Sequence, residues 1–214
     1  ANYREIMWVA RRHEVHLFNR WAKPICQTGD GTNQAISVQG NLNGENQVIA
    51  VSDTGIDMSN CYFKDNAKQP IYTELQAAKA NLQNSVDTTQ RKVIQYVYMQ
   101  GTSDITDDGG GHGTHVAGTV AGLSSISYGD FVKYNGMSKN AKISFFDIGN
   151  TALSSAGSKI QLPSGLQANL FDIQAASGAR IFSNSWGSGT SDYTDNCRQS
   201  DKFMYDNQDA LVLF

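Results

Sequence analysis

The sequence predicts an α/β protein with a mainly parallel sheet and helices on both of its faces. Two observations carry that prediction. Strand-sized apolar runs alternate with helix-length periodic segments, the rhythm of βαβ units. Three of those runs also end at turn signals rich in Gly, Ser or Asp, where a strand hands over to a loop. The 214 residues suit one such domain and do not require two.

Val48-Ile49-Ala50-Val51 is the first run and closes in Ser52-Asp53-Thr54-Gly55. Ile143-Ser144-Phe145-Phe146 is the second, closed by Asp147-Ile148-Gly149. Arg180 to Trp186 is the third, closed by Gly187-Ser188-Gly189, and Leu211 to Phe214 is the fourth. Helical segments lie between them. His112 to Leu123 is rich in small and apolar residues. Leu166, Leu170 and Ile173 recur at i, i+4 and i+7, with Gly178 placed as a C-terminal cap. Thr194 to Asn207 opens with Thr and Asp capping signals and sets Cys197 and Met204 seven apart. Residues 66–92 are polar and read as an inserted surface loop with a short exposed helix. Ser124 to Tyr134 and Thr151 to Gly165 read as loops.

Composition narrows the partners. Lys and Arg number 17 against 20 Asp and Glu, a net charge of −3 without basic runs. Neither nucleic acid nor an anionic membrane surface is expected as the main partner. A chain 40% hydrophobic and 17% charged is built to pack rather than to stay disordered. No apolar stretch is long enough for a membrane span. Cys26, Cys61 and Cys197 are an odd, widely spaced set without CxxC, which excludes a zinc ribbon or redox pair. They leave open one disulfide plus a free thiol, or three buried thiols. Ala1-Asn2-Tyr3-Arg4 leads into charged residues, not a signal peptide. The final run reads as a buried strand, so the chain is expected to be a fragment.

In parallel α/β sheets, catalytic groups collect at the carboxyl ends of the strands. Asp53 stands there, with Thr54-Gly55 to turn the chain and offer hydrogen bonds to its carboxylate. Alone it would be a turn aspartate. Gly109-Gly110-Gly111-His112-Gly113-Thr114-His115-Val116-Ala117-Gly118 adds an imidazole at the start of a Gly/Ala-rich helix. As a dinucleotide loop this segment fails. The third glycine of GxGxxG falls at Val116, and the acidic stretch Asp104 to Asp108 would repel a pyrophosphate. As a metal site it lacks HExxH and any carboxylate at helical spacing to join His112 and His115. As a general base His112 is well supplied: the helix N-terminus disfavours the imidazolium and a carboxylate partner favours it. His115, one turn along, is expected to be buried in packing or a hydrogen bond.

The combination resembles the subtilisin-like (subtilase, peptidase S8) serine proteases. The residues that carry the resemblance are Val51-Ser52-Asp53-Thr54-Gly55-Ile56-Asp57 and Gly111-His112-Gly113-Thr114-His115-Val116-Ala117-Gly118-Thr119. Gly136-Met137, Ala141-Lys142-Ile143 and Asn184-Ser185-Trp186-Gly187 continue it. Aspartate before histidine is also subtilisin's chain order. The wording is closest to the oxidation-resistant alkaline protease branch. The resemblance implies a three-layer α/β/α fold with a mainly parallel sheet, truncated before its C-terminal half. It implies that Asp53 orients His112, and that His112 takes the proton of a serine nucleophile and returns it to the leaving amine. Ser185, Trp186 and Gly187 would pair their backbone with polypeptide substrates bound as extended strands, and the Trp186 indole would border a substrate pocket.

Residues 1–18 resemble the tail of an inhibitory propeptide or an N-terminal extension, leaving 19–214 as the first half of a catalytic domain. The resemblance also implies a secreted or vesicular, extracytoplasmic protein and no cofactor or metal for the chemistry. Two departures stand out. No Gly-Thr-Ser-Met-Ala occurs, so the nucleophile is not expected in this chain; the family's oxyanion-hole asparagine follows the strand resembling Ala210 to Phe214 and is not expected either, so alone the chain should be inactive. Tyr62 stands where many subtilisins carry an aspartate for a structural calcium. The alternative is a catalytically inactive subtilase-like domain that binds peptides or proteins.

Overall fold

Val48–Asp53 (β1) runs through the middle of the sheet with five of its six residues buried. A strand covered on both faces needs apolar or small residues without strict alternation, which Val-Ile-Ala-Val supplies. It pairs in parallel with Lys142–Asp147 (β4) on one side, setting Asp53 opposite Asp147, and with Ile181–Ser183 (β5) on the other. Thr73–Glu74 (β2), Val93–Tyr98 (β3) and Leu211–Leu213 (β6) complete a six-stranded sheet in the order β2-β3-β4-β1-β5-β6. Every pairing is parallel. The computed structural model describes residues 25–26, 42–103, 105–107, 110–150, 160–189 and 191–214. The expectations for residues 1–18 and for most of Thr151 to Gly165 lie outside them.

Side chains alternate across the pleat of β1 and divide the core into two layers. Ile49 and Val51 face Ile143, Phe145, Tyr96 and the helix His112–Ala121. Ala50 faces Phe146, Phe171, Phe182 and Phe203 on the opposite side. That second layer is covered by Leu75–Ala80 (α1), a π-helical turn Gln167–Phe171 running into Asp172–Ala175 (α3), and Asp195–Asp206 (α4). The helix between α1 and α3, His112–Ala121, is α2. Helices on both faces make the three-layer arrangement that the sequence predicts. Phe203 of α4 meets Phe171 and Phe182 at centroid distances of 5.2 and 5.0 Å, the spacing at which aromatic rings add to area burial.

Sequence expectations meet the fold unevenly. Leu166, Leu170 and Ile173 are all buried as their spacing requires, but the turn between them is π-helical. Gly178 takes the left-handed φ of 95° that a C-terminal cap needs. Residues 66–92 are not only an inserted surface loop. They carry β2 and α1, and bury Leu75, Ala78 and Ser85 against the sheet. β3 lies in the interior of the sheet although no strand was expected there. The fourth run is an edge strand: Val212 is buried, while Leu211, Leu213 and Phe214 are exposed. Cys26, Cys61 and Cys197 are three free thiols, and Cys26 is exposed rather than buried.

Candidate active site

Pleat parity decides where Asp53 points. It shares the face of Ile49 and Val51, so its carboxylate emerges toward α2 at the carboxyl end of β1. Helix α2 is brought to that end by its small residues. Gly113, Ala117 and Ala121, four apart, form its buried stripe, and without long side chains the helix axis lies close to the sheet. The approach is closest at Gly113, where a Cβ would sit 2.2 Å from the Gly55 carbonyl oxygen. Gly55 itself has φ 124°, and a Cβ there would meet the Thr106 carbonyl oxygen at 1.8 Å. Only glycine fits either position.

His112 opens the helix directly above Asp53, and its Nδ1 lies 2.7 Å from Asp53 Oδ1. The same oxygen accepts the Thr54 backbone N–H at 2.8 Å. The carboxylate is 2% exposed and the imidazole 52%. A buried, oriented acid therefore holds a ring that remains open to solvent. With Nδ1 engaged, Nε2 is the nitrogen left to exchange a proton with a bound molecule. His115 does not compete for Asp53. Contrary to the expected buried position, it is exposed, lining a cavity of about 570 Å³ with Tyr62, Phe63, Tyr134 and Met137. Two residues past Gly113, it lies about 200° around α2 from the buried stripe and so faces away from the sheet.

Two polar side chains fix the start of α2, where backbone N–H groups have no helical partner. The Gly113 N–H donates to Thr54 Oγ1 at 3.0 Å, and the Thr114 N–H donates to Asp107 Oδ2 at 2.8 Å. Thr54 in turn donates to Asp107 Oδ1 at 2.8 Å. Asp107 thus ties the helix start to the β1 turn, and its negative charge suits the positive end of the helix dipole. In the sequence Asp107 stands out only as part of the acidic stretch Asp104 to Asp108. Neighbouring strand ends are braced similarly. Asp147 is fully buried and accepts from the Tyr96 hydroxyl at 2.9 Å and the Gly149 N–H at 2.8 Å. Burial, and then the adjacent Asp147, push the Tyr96 phenol far upward, so it stays protonated as the donor.

Trp186 follows β5 and donates its indole N–H to the Ser52 carbonyl at 3.0 Å, one residue from Asp53. Its ring is half-buried against the core and meets Phe214 edge-on at 5.0 Å. Ser185 and Gly187 on either side are exposed. Asp53, His112 and this exposed segment all lie at the carboxyl-terminal edge of the sheet. Among the described residues no cluster of three or more His, Cys, Asp or Glu side chains could hold a metal ion, and no helix is long and apolar enough to cross a membrane.

Known proteins resemble this chain in sequence and fold. Residues 44–214 match the subtilase family, peptidase S8. The serine protease/ABC transporter B family protein tagD of Dictyostelium discoideum is 30% identical over 98% of this chain, and tagB of the same organism is 30% identical over 80%. The chain spans only about a tenth of those relatives, 11% and 8% of their lengths. The Clostridium perfringens CspB protease structure superimposes with a TM-score of 0.56 at 18% identity, covering 90% of this chain and 39% of that one. That likeness supports the fold. On the family match across most of its length, this chain belongs to the subtilase family.

Proposed function

We propose that this chain supplies the aspartate–histidine part of a serine endopeptidase that hydrolyses peptide bonds through an Asp-His-Ser triad. The observation that supports it best is the 2.7 Å contact between His112 Nδ1 and the buried Asp53 carboxylate. That contact fixes the imidazole tautomer and ring orientation, and it favours the imidazolium that forms when His112 accepts the proton of the serine hydroxyl. His112 then gives the proton to the leaving amine. The serine and its oxyanion donors would come from outside these 214 residues, which carry no Gly-Thr-Ser-Met-Ala. Alone, the chain is proposed to be inactive.

The exposed Ser185 and Gly187 backbone, beside an indole anchored to β1, suits an extended polypeptide substrate added as a further strand. An extracytoplasmic site of action and an inhibitory propeptide remain part of this reading. Replacing His112 with Ala in the complete protein tests it. Peptidase activity should fall to the background supplied by binding and oxyanion contacts, and activity of the parent should rise with pH as the imidazole deprotonates. A serine-directed phosphonylating reagent should label the complete protein and not the 214-residue chain. Full activity in His112→Ala would overturn the triad. A complete protein that is neither labelled nor active would instead be a binding module.

A further inference from the structure

Tyr62 stands where many subtilisins carry an aspartate for a structural calcium, a departure that already sets the site apart, and the atoms around it do not suit such an ion. Calcium takes six to eight oxygen ligands, several of them anionic. Here the side chain is a phenol, whose hydroxyl donates to the Phe131 carbonyl at 2.7 Å. Burial, and then Cys61 and Tyr134, raise its pKa, which keeps it a proton donor rather than an anionic ligand. The neighbouring carbonyls already accept hydrogen bonds. Tyr62 O accepts the Leu123 N–H at 3.1 Å and Cys61 O accepts the Ser125 N–H at 2.9 Å. A resident cation occupies the rest of the site. The Arg91 guanidinium donates from Nη1 to Leu123 O at 2.8 Å, from Nη2 to Cys61 O at 3.4 Å and from Nε to Lys64 O at 2.7 Å. Arg91 is itself fixed by its backbone N–H, which donates to Asp65 Oδ2 at 2.9 Å.

We propose that Arg91 and Tyr62 hold the loop after α2 in place of a calcium ion: the guanidinium ties the Leu123 carbonyl at its start to the Cys61 and Lys64 carbonyls, and the phenol pins it farther along at Phe131. The division of labour follows from geometry. A divalent ion binds several oxygens from one point, whereas Arg91 presents a planar fork of donors and a positive charge that repels any second cation. Tyr62 reaches the residue the fork does not, Phe131, eight positions past Leu123. The Ser124 N–H, donating to Asn135 Oδ1 at 2.8 Å, closes the loop on itself. Lys133 to Met137, which follow, line the cavity against α2. The clamp therefore fixes one wall of that cavity without depending on ambient calcium. The inference is independent of the proposed peptidase chemistry.

Amide hydrogen exchange of the protein, read across residues 123–137 in EDTA and in millimolar calcium chloride, tests this. Amides of β1 serve as the internal standard. Wild-type loop amides should exchange at the same rate in both buffers. Tyr62→Phe should exchange on the order of fivefold faster around Phe131 to Asn135, the effect of one lost hydrogen bond. Arg91→Lys, which keeps the charge but loses the fork, should exchange faster around Leu123 to Ser125, and calcium should rescue neither variant. Calcium-dependent protection of the wild-type loop overturns the proposal. So does unchanged loop exchange in both variants.

Discussion

Replacing Gly113 with Ala sets two effects of opposite sign against each other. In a helix interior Ala is favoured over Gly by about 1 kcal/mol. At this position, however, the new methyl would stand 2.2 Å from the Gly55 carbonyl oxygen, 3.0 Å from the Gly55 nitrogen and 3.1 Å from the Thr54 nitrogen, all backbone atoms. Ordinary contact begins near 3.4 Å, so the start of α2 must retreat by about 1 Å, at an overpacking cost of about 1–3 kcal/mol. The retreat also stretches the 3.0 Å bond from the Gly113 N–H to Thr54, worth about 1 kcal/mol. The clash wins, with a net destabilisation of about 1–3 kcal/mol. His112 moves with the helix, and its 2.7 Å contact with Asp53 opens beyond hydrogen-bond range. Gly118→Ala in the same helix is the control. There the methyl meets only Phe63 Cζ, at 3.8 Å, so propensity should stabilise by up to about 1 kcal/mol. Urea unfolding of both variants measures the difference. If Gly113→Ala were as stable as Gly118→Ala, the close seating of α2 on the β1 turn would be wrong.

Two further outcomes follow from charged side chains that bind backbone groups. Asp107→Asn keeps the shape but removes the charge facing the Thr114 N–H at the start of α2 and the Thr54 hydroxyl on the β1 turn, and should cost about 1 kcal/mol in urea unfolding. A change under a few tenths would refute its role as the cap. Lys92 is buried, its ammonium donating to the Lys139 carbonyl at 2.8 Å and to the Ala141 carbonyl, and burial followed by Arg91 and Lys142 lowers its pKa to about 7. Between that value and its unfolded value near 10.5 the unfolded chain binds the extra proton. Stability from this residue should therefore rise with pH across that window, by at most about 1.4 kcal/mol per unit. Relative to wild type, Lys92→Met should be most favourable below pH 7 and lose ground toward pH 10. A pH-independent difference would contradict the buried charge.

The site was legible because its determinants are local. Asp53 ends an apolar run, and the glycines and alanines around His112 announce a helix that must pack closely. The bracing residues were hidden because their partners are distant in sequence: Thr54 and Asp107 are 53 positions apart, Tyr96 and Asp147 are 51 apart. β3 was missed for a related reason. Gln95 interrupts its apolar run, and is tolerated in the interior only because Ser85 and Ser144 satisfy both ends of its amide. Leu211 to Phe214 was legible as a strand: Leu211–Leu213 pairs with β5 and Val212 faces the core, while no described element covers the face of Leu211 and Leu213.

Asp53→Asn tests the central claim most directly, because it removes the charge that holds His112 while leaving shape and packing nearly intact. Measured in the complete protein, with the fold checked by circular dichroism, kcat for peptide hydrolysis should fall by about 10⁴ as the imidazole loses its orienting carboxylate. KM should change little. A folded variant that keeps kcat within about tenfold of wild type would contradict the account, since an orienting carboxylate should be worth far more than that.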